Sequence, residues 1–261
     1  MPELLTLGLI VAVLAYGTLL RKSVFILTYH SISEGEFDIP GLEVSSRAFA
    51  NQLRLLAALG FRAENLDQVV DDIRRGTRGN FPVLCITFDD GYRGVLANAA
   101  PLLLSRNWPA TLFVPTSLAG RSNEWDAGSG IRSVPLLGWE ELRKLTSMGF
   151  AIGSHSRMHR SMLHIPEDEC RQELQGSLAD LDRNLSRVSR VFCYPYGHRK
   201  PGLRRLVEKS GYQGACSLIH NAYPDDLYDL GRLNVRTNNI VIFAWNLAAY
   251  PLISLARKLV R

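Results

Sequence analysis

Short apolar runs alternate with stretches of helical spacing along most of the chain. Six runs of four to six residues are rich in β-branched and aromatic side chains, as buried strands are, at 25–29, 83–88, 110–114, 151–154, 191–194 and 213–218. Between these runs, apolar residues recur every three or four positions, which is typical of one face of an amphipathic helix. Strand and helix repeated six or seven times predict an α/β fold built on a parallel sheet.

Two of the predicted helices have recognisable limits. One follows the candidate caps Ser45-Ser46 and is expected to stop at Gly60, and a longer one follows the apolar spacing from Cys170 to Leu185. The sequence contains no Gly-rich phosphate-binding loop, internal repeat or interdomain linker. A single domain is therefore expected between the two ends of the chain.

Polar side chains that can perform chemistry fall at the ends of the predicted strands. In parallel α/β folds the carboxyl ends of the strands form the face where ligands bind, so these residues are expected to meet at one rim. They are His30, the pair Asp89-Asp90, His155, and the run Tyr194-Pro195-Tyr196-Gly197. Gly91 lets the backbone turn after the second strand, so that both carboxylates can face the rim.

The two aspartates and the two histidines are each ambiguous when taken alone. An Asp-Asp-Gly turn is common as a helix cap, and a histidine pair such as His155 and His159, which one helical turn would place on one face, is common on surfaces. Together they offer one carboxylate and two imidazoles as ligands for zinc or a similar divalent ion, with a position left open for water or substrate. The second carboxylate would then be placed to take a proton from the bound water.

Three motifs of this chain resemble those of the polysaccharide deacetylases, the NodB-homology or carbohydrate esterase family 4 group. They are TFDDGY at 87–92, SHSRMH at 154–159 and YPYG at 194–197, in the order and spacing of that family. LTYHSI at 27–32 and LGWEEL at 137–142 are similar to the branch that deacetylates exopolysaccharide N-acetylglucosamine. The resemblance extends over residues 24–235 and implies a distorted (β/α)7-type barrel.

The resemblance also implies a reaction and a role for four residues. Asp89 would be the general base, and a divalent metal, with Zn2+ favoured, would be held by Asp90, His155 and His159. The implied reaction removes an N-acyl group, such as acetyl, from an amino sugar. A bound divalent ion suits this chemistry because it polarises the carbonyl and lowers the pKa of its water from 15.7 to about 7.

Four further residues are candidates for contact with the substrate or its oxyanion. Tyr196, with Pro195 before it, would offer its backbone N–H to the oxyanion. His30 either lines the site or is a core histidine with its hydrogen bonds satisfied. Trp125, in the long segment 121–138, is either a platform for a sugar ring or the anchor of its own loop.

The chain departs from the family pattern at two points. Where many members have Arg-x-Pro-Tyr, this chain has the run 193–196, Cys-Tyr-Pro-Tyr, so the arginine that orients the base must come from elsewhere, and Arg232 and Arg236 on the final strand are candidates. The family's Leu-x-His, which carries the general acid, has a match at Leu218-Ile219-His220 in a segment that also reads as a surface loop. These departures leave open an alternative, a catalytically retired sugar-binding or assembly protein.

The N-terminal end of the chain is apolar. Residues 4–20 contain no charged side chain and approach the roughly 20 residues that cross a bilayer, so residues 1–22 are predicted to be a retained single-pass anchor. A cleaved signal peptide and a buried core helix are the alternatives; Arg21-Lys22, where cleavage would be expected, disfavours the signal peptide. By the positive-inside rule these two charges favour a cytoplasmic body, with a periplasmic or extracellular body still open.

The C-terminal segment, residues 239–261, is apolar as well. It contains Trp245 and Tyr250, residues typical of membrane interfaces, is interrupted by Pro251, and is followed by Arg257-Lys258. It is predicted to be a helix that either packs on the domain or lies on the membrane.

Composition narrows the remaining classes of protein. The chain has 261 residues, of which 46% are hydrophobic and 21% charged, so it is too apolar for a disordered protein. Four cysteines are too few for a disulfide framework and are expected to be free. A net charge of +5 does not indicate nucleic acid. We therefore expect a membrane-bound deacetylase barrel over residues 23–238, acting on a cell-envelope polysaccharide or its lipid-linked precursor.

Overall fold

A computed structural model describes residues 16–35, 37–39, 41–219 and 221–259. Seven parallel strands form one curled sheet in the order β8-β7-β6-β5-β4-β1-β9, and β2 and β3 form a separate parallel pair. In chain order the strands are β1 (Val24–Tyr29), β2 (Ser31–Ser33), β3 (Glu43–Ser45), β4 (Val83–Phe88), β5 (Ala110–Val114), β6 (Phe150–Ser154), β7 (Val188–Cys193), β8 (Gly214–Cys216) and β9 (Leu233–Asn234).

Helices connect the strands and pack against the sheet. They are α1 (Ser46–Ala58), α2 (Leu66–Arg75), α3 (Ala100–Leu104), α4 (Trp139–Ser147), α5 (Glu167–Asn184), α6 (Leu203–Lys209) and α7 (Ile240–Leu259), and residues 16–21 are also helical. Ser45 caps α1 as expected, because its side chain accepts a hydrogen bond from the Ala48 N–H. The helix predicted from the leucine spacing is α5.

The predicted α/β class and the barrel-type sheet are confirmed. Two predicted strands match β4 and β5 at both ends, and the others agree with the observed strands to within three residues. Every residue of β1, β4 and β5 is buried. A parallel sheet covered on both faces produces such continuous apolar runs, which is why the sequence predicted these strands well.

The two ends of the curled sheet are bridged by an irregular segment, residues 227–234. On one side this segment bonds to β8, where the Ala215 N–H donates to the Leu227 carbonyl and Cys216 pairs with Leu230. On the other side Leu233 pairs in parallel with Leu27 of β1. The sheet is thus drawn round towards a distorted barrel, and the carboxyl ends of its strands share one rim.

The N-terminal anchor predicted over residues 1–22 falls largely on residues 1–15, outside the described residues, and it stays a prediction. At the other end, α7 continues through Pro251, and Phe243, Leu247 and Tyr250 bury one side of it against the barrel. Within the described residues, one helical stretch, Ile240–Arg257, is long and apolar enough to cross a membrane, with a mean hydropathy of 1.5.

Candidate active site

One carboxylate and two imidazoles meet where β4 and β6 end. The Asp90 Oδ1 lies 3.4 Å from the Nε2 of His155 and 3.2 Å from the Nε2 of His159. All three side chains are buried, and their ligand atoms lie within 4.8 Å of one another. The sequence predicted this grouping from the strand ends and from the spacing of the two histidines, and the structure brings the three residues together.

The backbone at this site adopts conformations with positive φ, which residues other than glycine ordinarily avoid. Five residues other than glycine have positive φ in the described part of the chain, and four of them lie here: Asp90 (72°), Ser156 (65°), His159 (56°) and Tyr196 (60°). Such residues cost roughly 1–3 kcal/mol each and cluster at functional sites. The segment between the two histidines is not helical, so the expectation of one helical turn was wrong. Residues with a left-handed backbone conformation, Ser156 and His159, bring the imidazole rings of the two histidines together instead.

Hydrogen bonds orient both imidazole-bearing segments. The Nδ1 of His155 lies 2.8 Å from the Cys193 carbonyl oxygen, which can only accept, so Nδ1 carries a proton and Nε2 faces Asp90. The buried carboxylate of Glu173 accepts hydrogen bonds from the backbone N–H groups of Arg157 and Met158. Glu173 therefore fixes the loop that carries His159.

The three residues fit a divalent ion. The separations of 3.2 and 3.4 Å between Asp90 and the imidazoles match the distance of about 3.3 Å between ligand atoms of a tetrahedral zinc site with bonds near 2.0 Å. A carboxylate with two neutral imidazoles is a ligand set for zinc and related metals, and it leaves positions open. His155 also has the carbonyl partner that metal-bound histidines use to fix their tautomer.

Asp89, the neighbour of Asp90, is held by an arginine that the sequence could not assign. The guanidinium of Arg232 donates to both carboxylate oxygens of Asp89, at 2.8 and 2.7 Å, and both side chains are buried. Arg232 also donates to the Ser217 carbonyl oxygen and lies 3.1 Å from the Sγ of Cys193. Of the two arginines considered, Arg232 makes this pair, whereas Arg236 is exposed.

These contacts set the charge of the two carboxylates. Burial acts to raise the pKa of Asp89, but the charge of Arg232, followed by that of His155, holds this pKa below its ordinary value. Burial also acts to raise the pKa of Asp90, and the hydrogen bonds from His155 and His159 hold it well below its ordinary value. Both groups are therefore carboxylates at neutral pH.

Cys193 stands where many family members have the missing arginine. Burial raises the pKa of its thiol, so it remains a neutral thiol against Asp89. The set Asp89, His155 and Cys193 also brings three ligand atoms together, but the guanidinium of Arg232 already places a positive charge there. The four cysteines are all free, as predicted, and all four are buried.

His30 lies close to both carboxylates and is itself buried. Burial lowers the pKa of its imidazole, although the charges of Asp90 and Asp89 act to raise it. Its Nδ1 is buried without a hydrogen-bond partner in the described part of the chain. The description of a core histidine with satisfied hydrogen bonds therefore does not fit, and His30 has a free polar atom beside the site.

Aromatic rings flank the imidazole of His159. The Trp125 ring stacks on it with centroids 4.2 Å apart and an angle of 29°, and the Tyr196 ring meets it edge-on at 4.7 Å. Trp125 and Tyr196 line an open groove of about 610 Å³. Trp125 thus anchors its loop on the site and lines the groove at the same time.

The remaining candidates differ in position. Pro195 is buried and begins the short turn Pro195–Gly197, so it contributes by shaping the backbone at Tyr196. Two further histidines, His164 and His198, also line the groove. His220, the candidate general acid, lies outside the described residues.

Comparison with known proteins agrees with this geometry. The sequence model of the polysaccharide deacetylase family matches residues 77–215, just over half of the chain. A poly-β-1,6-N-acetyl-D-glucosamine N-deacetylase of Staphylococcus epidermidis is 25% identical over 240 residues, covering 82% of this chain and 80% of the relative.

Solved structures of two deacetylases have the same fold. IcaB from Ammonifex degensii superposes with a TM-score of 0.74 at 23% identity, covering 88% of this chain and 97% of that one. The Streptococcus pyogenes deacetylase PplD, in complex with acetate, gives 0.71 at 20% identity, covering 82% and 92%. With the family match across the site, the conclusion is that this chain belongs to the polysaccharide deacetylase family and is an enzyme that hydrolyses amide bonds.

Proposed function

We propose that this protein is a divalent-metal-dependent N-deacetylase that acts on N-acetylated amino sugars of a cell-envelope polysaccharide. The observation that carries the proposal is the convergence of Asp90, His155 and His159 beside the charged, arginine-held carboxylate of Asp89. Such a site combines ligands for one divalent ion with a separate base, and hydrolysis of an amide requires both.

In the proposed mechanism, Asp89 is the general base. Its low pKa keeps it ionised, and the two hydrogen bonds from Arg232 fix its direction while it accepts a proton from the attacking water. A divalent ion held by Asp90, His155 and His159 would supply the polarisation of the acyl carbonyl. The backbone N–H of Tyr196 would donate to the oxyanion, and loss of one such donor typically costs about 3 kcal/mol.

The groove explains how a sugar would approach. The half-exposed rings of Trp125 and Tyr196 present apolar surface beside His159, which suits the face of a pyranose ring. The groove is open, so a residue within a longer glycan can enter. The relatives named as poly-β-1,6-N-acetyl-D-glucosamine deacetylases support an exopolysaccharide of N-acetylglucosamine as the substrate class.

The proposed location is a membrane, with residues 1–22 as a single-pass anchor. The uncharged run 4–20 supports an anchor, and Arg21-Lys22 after it favour a body on the cytoplasmic side. In that compartment a lipid-linked precursor is a more accessible substrate than the finished polymer. A reporter fused to the C-terminus that is active only on the periplasmic or extracellular side of the membrane would contradict the cytoplasmic orientation.

The enzymatic proposal is tested with purified full-length protein and N-acetylglucosamine oligomers. Released acetate and new free amines are measured after chelation and after zinc is returned, for the native chain and for Asp89→Asn. We expect chelation and Asp89→Asn each to abolish release, and zinc to restore it only in the native chain. Sugar binding that survives chelation without any acetate release would favour the retired sugar-binding protein. That alternative loses its main support here, because Arg232 supplies the arginine whose absence suggested it.

A further inference from the structure

One face of α5 lies against the β6 loop, residues 155–159, which begins and ends with the two histidines of the site. Positions spaced by i, i+3, i+4 and i+7 share one face of a helix. In α5 the positions with this spacing that contact residues 154–158 are Glu173, Gly176, Ser177 and Asp180. The helix therefore meets the β6 loop along about two turns.

Asp180 joins the β6 loop to the β5 loop, residues 115–118. Its Oδ2 accepts one hydrogen bond from the Arg157 Nε, at 3.1 Å, and another from the Thr116 hydroxyl, at 2.9 Å. The backbones of the two loops are joined as well. The Thr116 N–H donates to the Ser156 carbonyl oxygen, and the Ser117 N–H donates to the Arg157 carbonyl oxygen. The Asp180 side chain is 15% exposed, so its bonds are largely shielded from water.

The β6 loop needs support because two of its residues have a left-handed backbone. The φ of Ser156 is 65° and that of His159 is 56°. Residues other than glycine persist in this region only where the surrounding structure holds them there. Arg157 lies between these two positions, and its side chain is held by Asp180. The attachment to α5 therefore acts at the strained part of the loop.

Gly176 leaves the space through which the Arg157 side chain reaches Asp180. A Cβ at position 176 would lie 2.5 Å from the Cδ and 3.0 Å from the Nε of Arg157, closer than side chains pack. The guanidinium would have to move away from Asp180 to make room. Alanine stabilises a helix interior better than glycine does, so the stability of α5 does not explain a glycine here.

We propose that Asp180 is a positioning residue of the active site, which joins the β5 and β6 loops through Thr116 and Arg157 and so holds His159 where it can bind the metal. The inference rests on the proposed metal-dependent function. It adds a residue that belongs neither to the ligand set nor to the groove. Arg157 is 44% exposed, and partly exposed ion pairs contribute little to folding. The expected effects are therefore on the order of the loop and on metal affinity.

Hydrogen exchange of the metal-free full chain tests the loops without metal or activity. In Asp180→Asn we expect the Thr116 and Ser117 amides, which bond across the two loops, to exchange about tenfold faster than in the native chain. Asp182→Asn is the matched control, because Asp182 is on the same helix but is 45% exposed and pairs with Arg190. It should leave both amides unchanged. Native exchange in Asp180→Asn, or equal acceleration by the control, would overturn the proposal.

Zinc affinity tests the consequence for the metal. By chelator competition we expect Asp180→Asn and Gly176→Ala each to weaken zinc binding about tenfold, with native affinity in Asp182→Asn. Gly176→Ala removes no polar group and introduces a better helix former, so the Tm of its metal-free form should not fall. A purely structural role would not lower metal affinity while stability is kept. If Asp180→Asn does not fold, Arg157→Gln removes the same ion pair from its exposed side.

The outcomes distinguish this inference from the proposed function. Native zinc affinity in Asp180→Asn and Gly176→Ala, or a parallel loss of affinity and Tm in Gly176→Ala, would contradict the positioning role. A native chain that binds no zinc would overturn both the inference and the proposed function. A native chain that binds zinc but releases no acetate would overturn the proposed function alone.

Discussion

Replacing Arg232 by methionine removes the only positive charge that bonds Asp89 in the described part of the chain. The side chain of Arg232 is 1% exposed and that of Asp89 is 3% exposed. The guanidinium donates one hydrogen bond to each oxygen of the Asp89 carboxylate. Removing one partner of such a buried pair typically costs about 3–5 kcal/mol, because the other charge is left without compensation. That is a large share of the roughly 5–15 kcal/mol that stabilises a folded domain.

The orphaned carboxylate responds by taking up a proton more readily. In the native protein Arg232 holds the pKa of Asp89 below its ordinary value, so Asp89 stays ionised as the pH falls to that value. Without the guanidinium, burial raises this pKa. A protonated Asp89 cannot accept a proton from water, so we expect the activity of Arg232→Met to rise with pH over a range where the native rate is constant.

The assay combines urea unfolding with the pH dependence of kcat on N-acetylglucosamine oligomers. Arg236→Met is the matched control, because Arg236 is exposed, and it should change stability by less than about 0.5 kcal/mol. If Arg232→Met alone does not fold, the double variant Cys193→Arg with Arg232→Met tests the same claim. The Sγ of Cys193 is 3.7 Å from Asp89 Oδ1, so an arginine at 193 is directed at the same carboxylate.

The expected rescue is partial recovery of both stability and kcat in that double variant. Two results would refute the reasoning: equal damage from Arg232→Met and Arg236→Met, or a native kcat and pH profile in Arg232→Met. Rescue of stability without any rescue of kcat would limit Arg232 to a structural role.

Three other predictions concern the metal, its supporting loop and the groove. His159→Gln should lower bound zinc measured by atomic emission at least tenfold, whereas His164→Gln, at an exposed histidine outside the ligand set, should retain native zinc content. Glu173→Gln should keep the fold but weaken zinc binding about 10- to 100-fold, because the loop of His159 loses its charged acceptor; unchanged affinity in a chelator competition would contradict this. Trp125→Ala should raise the KM for oligomers about fivefold and leave bound zinc intact, and an unchanged KM would exclude Trp125 from the sugar site.

Much of the fold could be predicted from the chain, because long strands buried on both faces appear as apolar runs. β2 and β3 were missed because three residues are too few to set a period. The end of α7 shows the converse: Pro251 looked like an interruption, but it is buried within a continuous helix. Tertiary packing outweighed the local signal there.

The site was predictable where its residues follow strand ends and not where they lie on irregular backbone. Asp89, Asp90 and His155 follow β4 and β6 directly, so the parallel sheet determines their place. The sequence could not tell whether Arg232 or Arg236 points into the site. The strand β9 is only two residues long, and the segment before it has no alternation of apolar and polar residues that would indicate which side chains face inward. The ring of Trp125 stacks on His159, which lies 34 residues further along the chain. No local sequence pattern predicts such a contact.

The most direct test of the account is the rate of acetate release by zinc-loaded protein from N-acetylglucosamine oligomers, compared between the native chain and Asp89→Asn. Metal content is measured on the same samples, because Asp90, His155 and His159 are untouched by this substitution. The account predicts full zinc occupancy in both proteins, with acetate release by the native chain alone. Equal release by the two proteins would contradict the assignment of Asp89 as the base, and zinc-loaded native protein without any release would contradict the proposed deacetylase function.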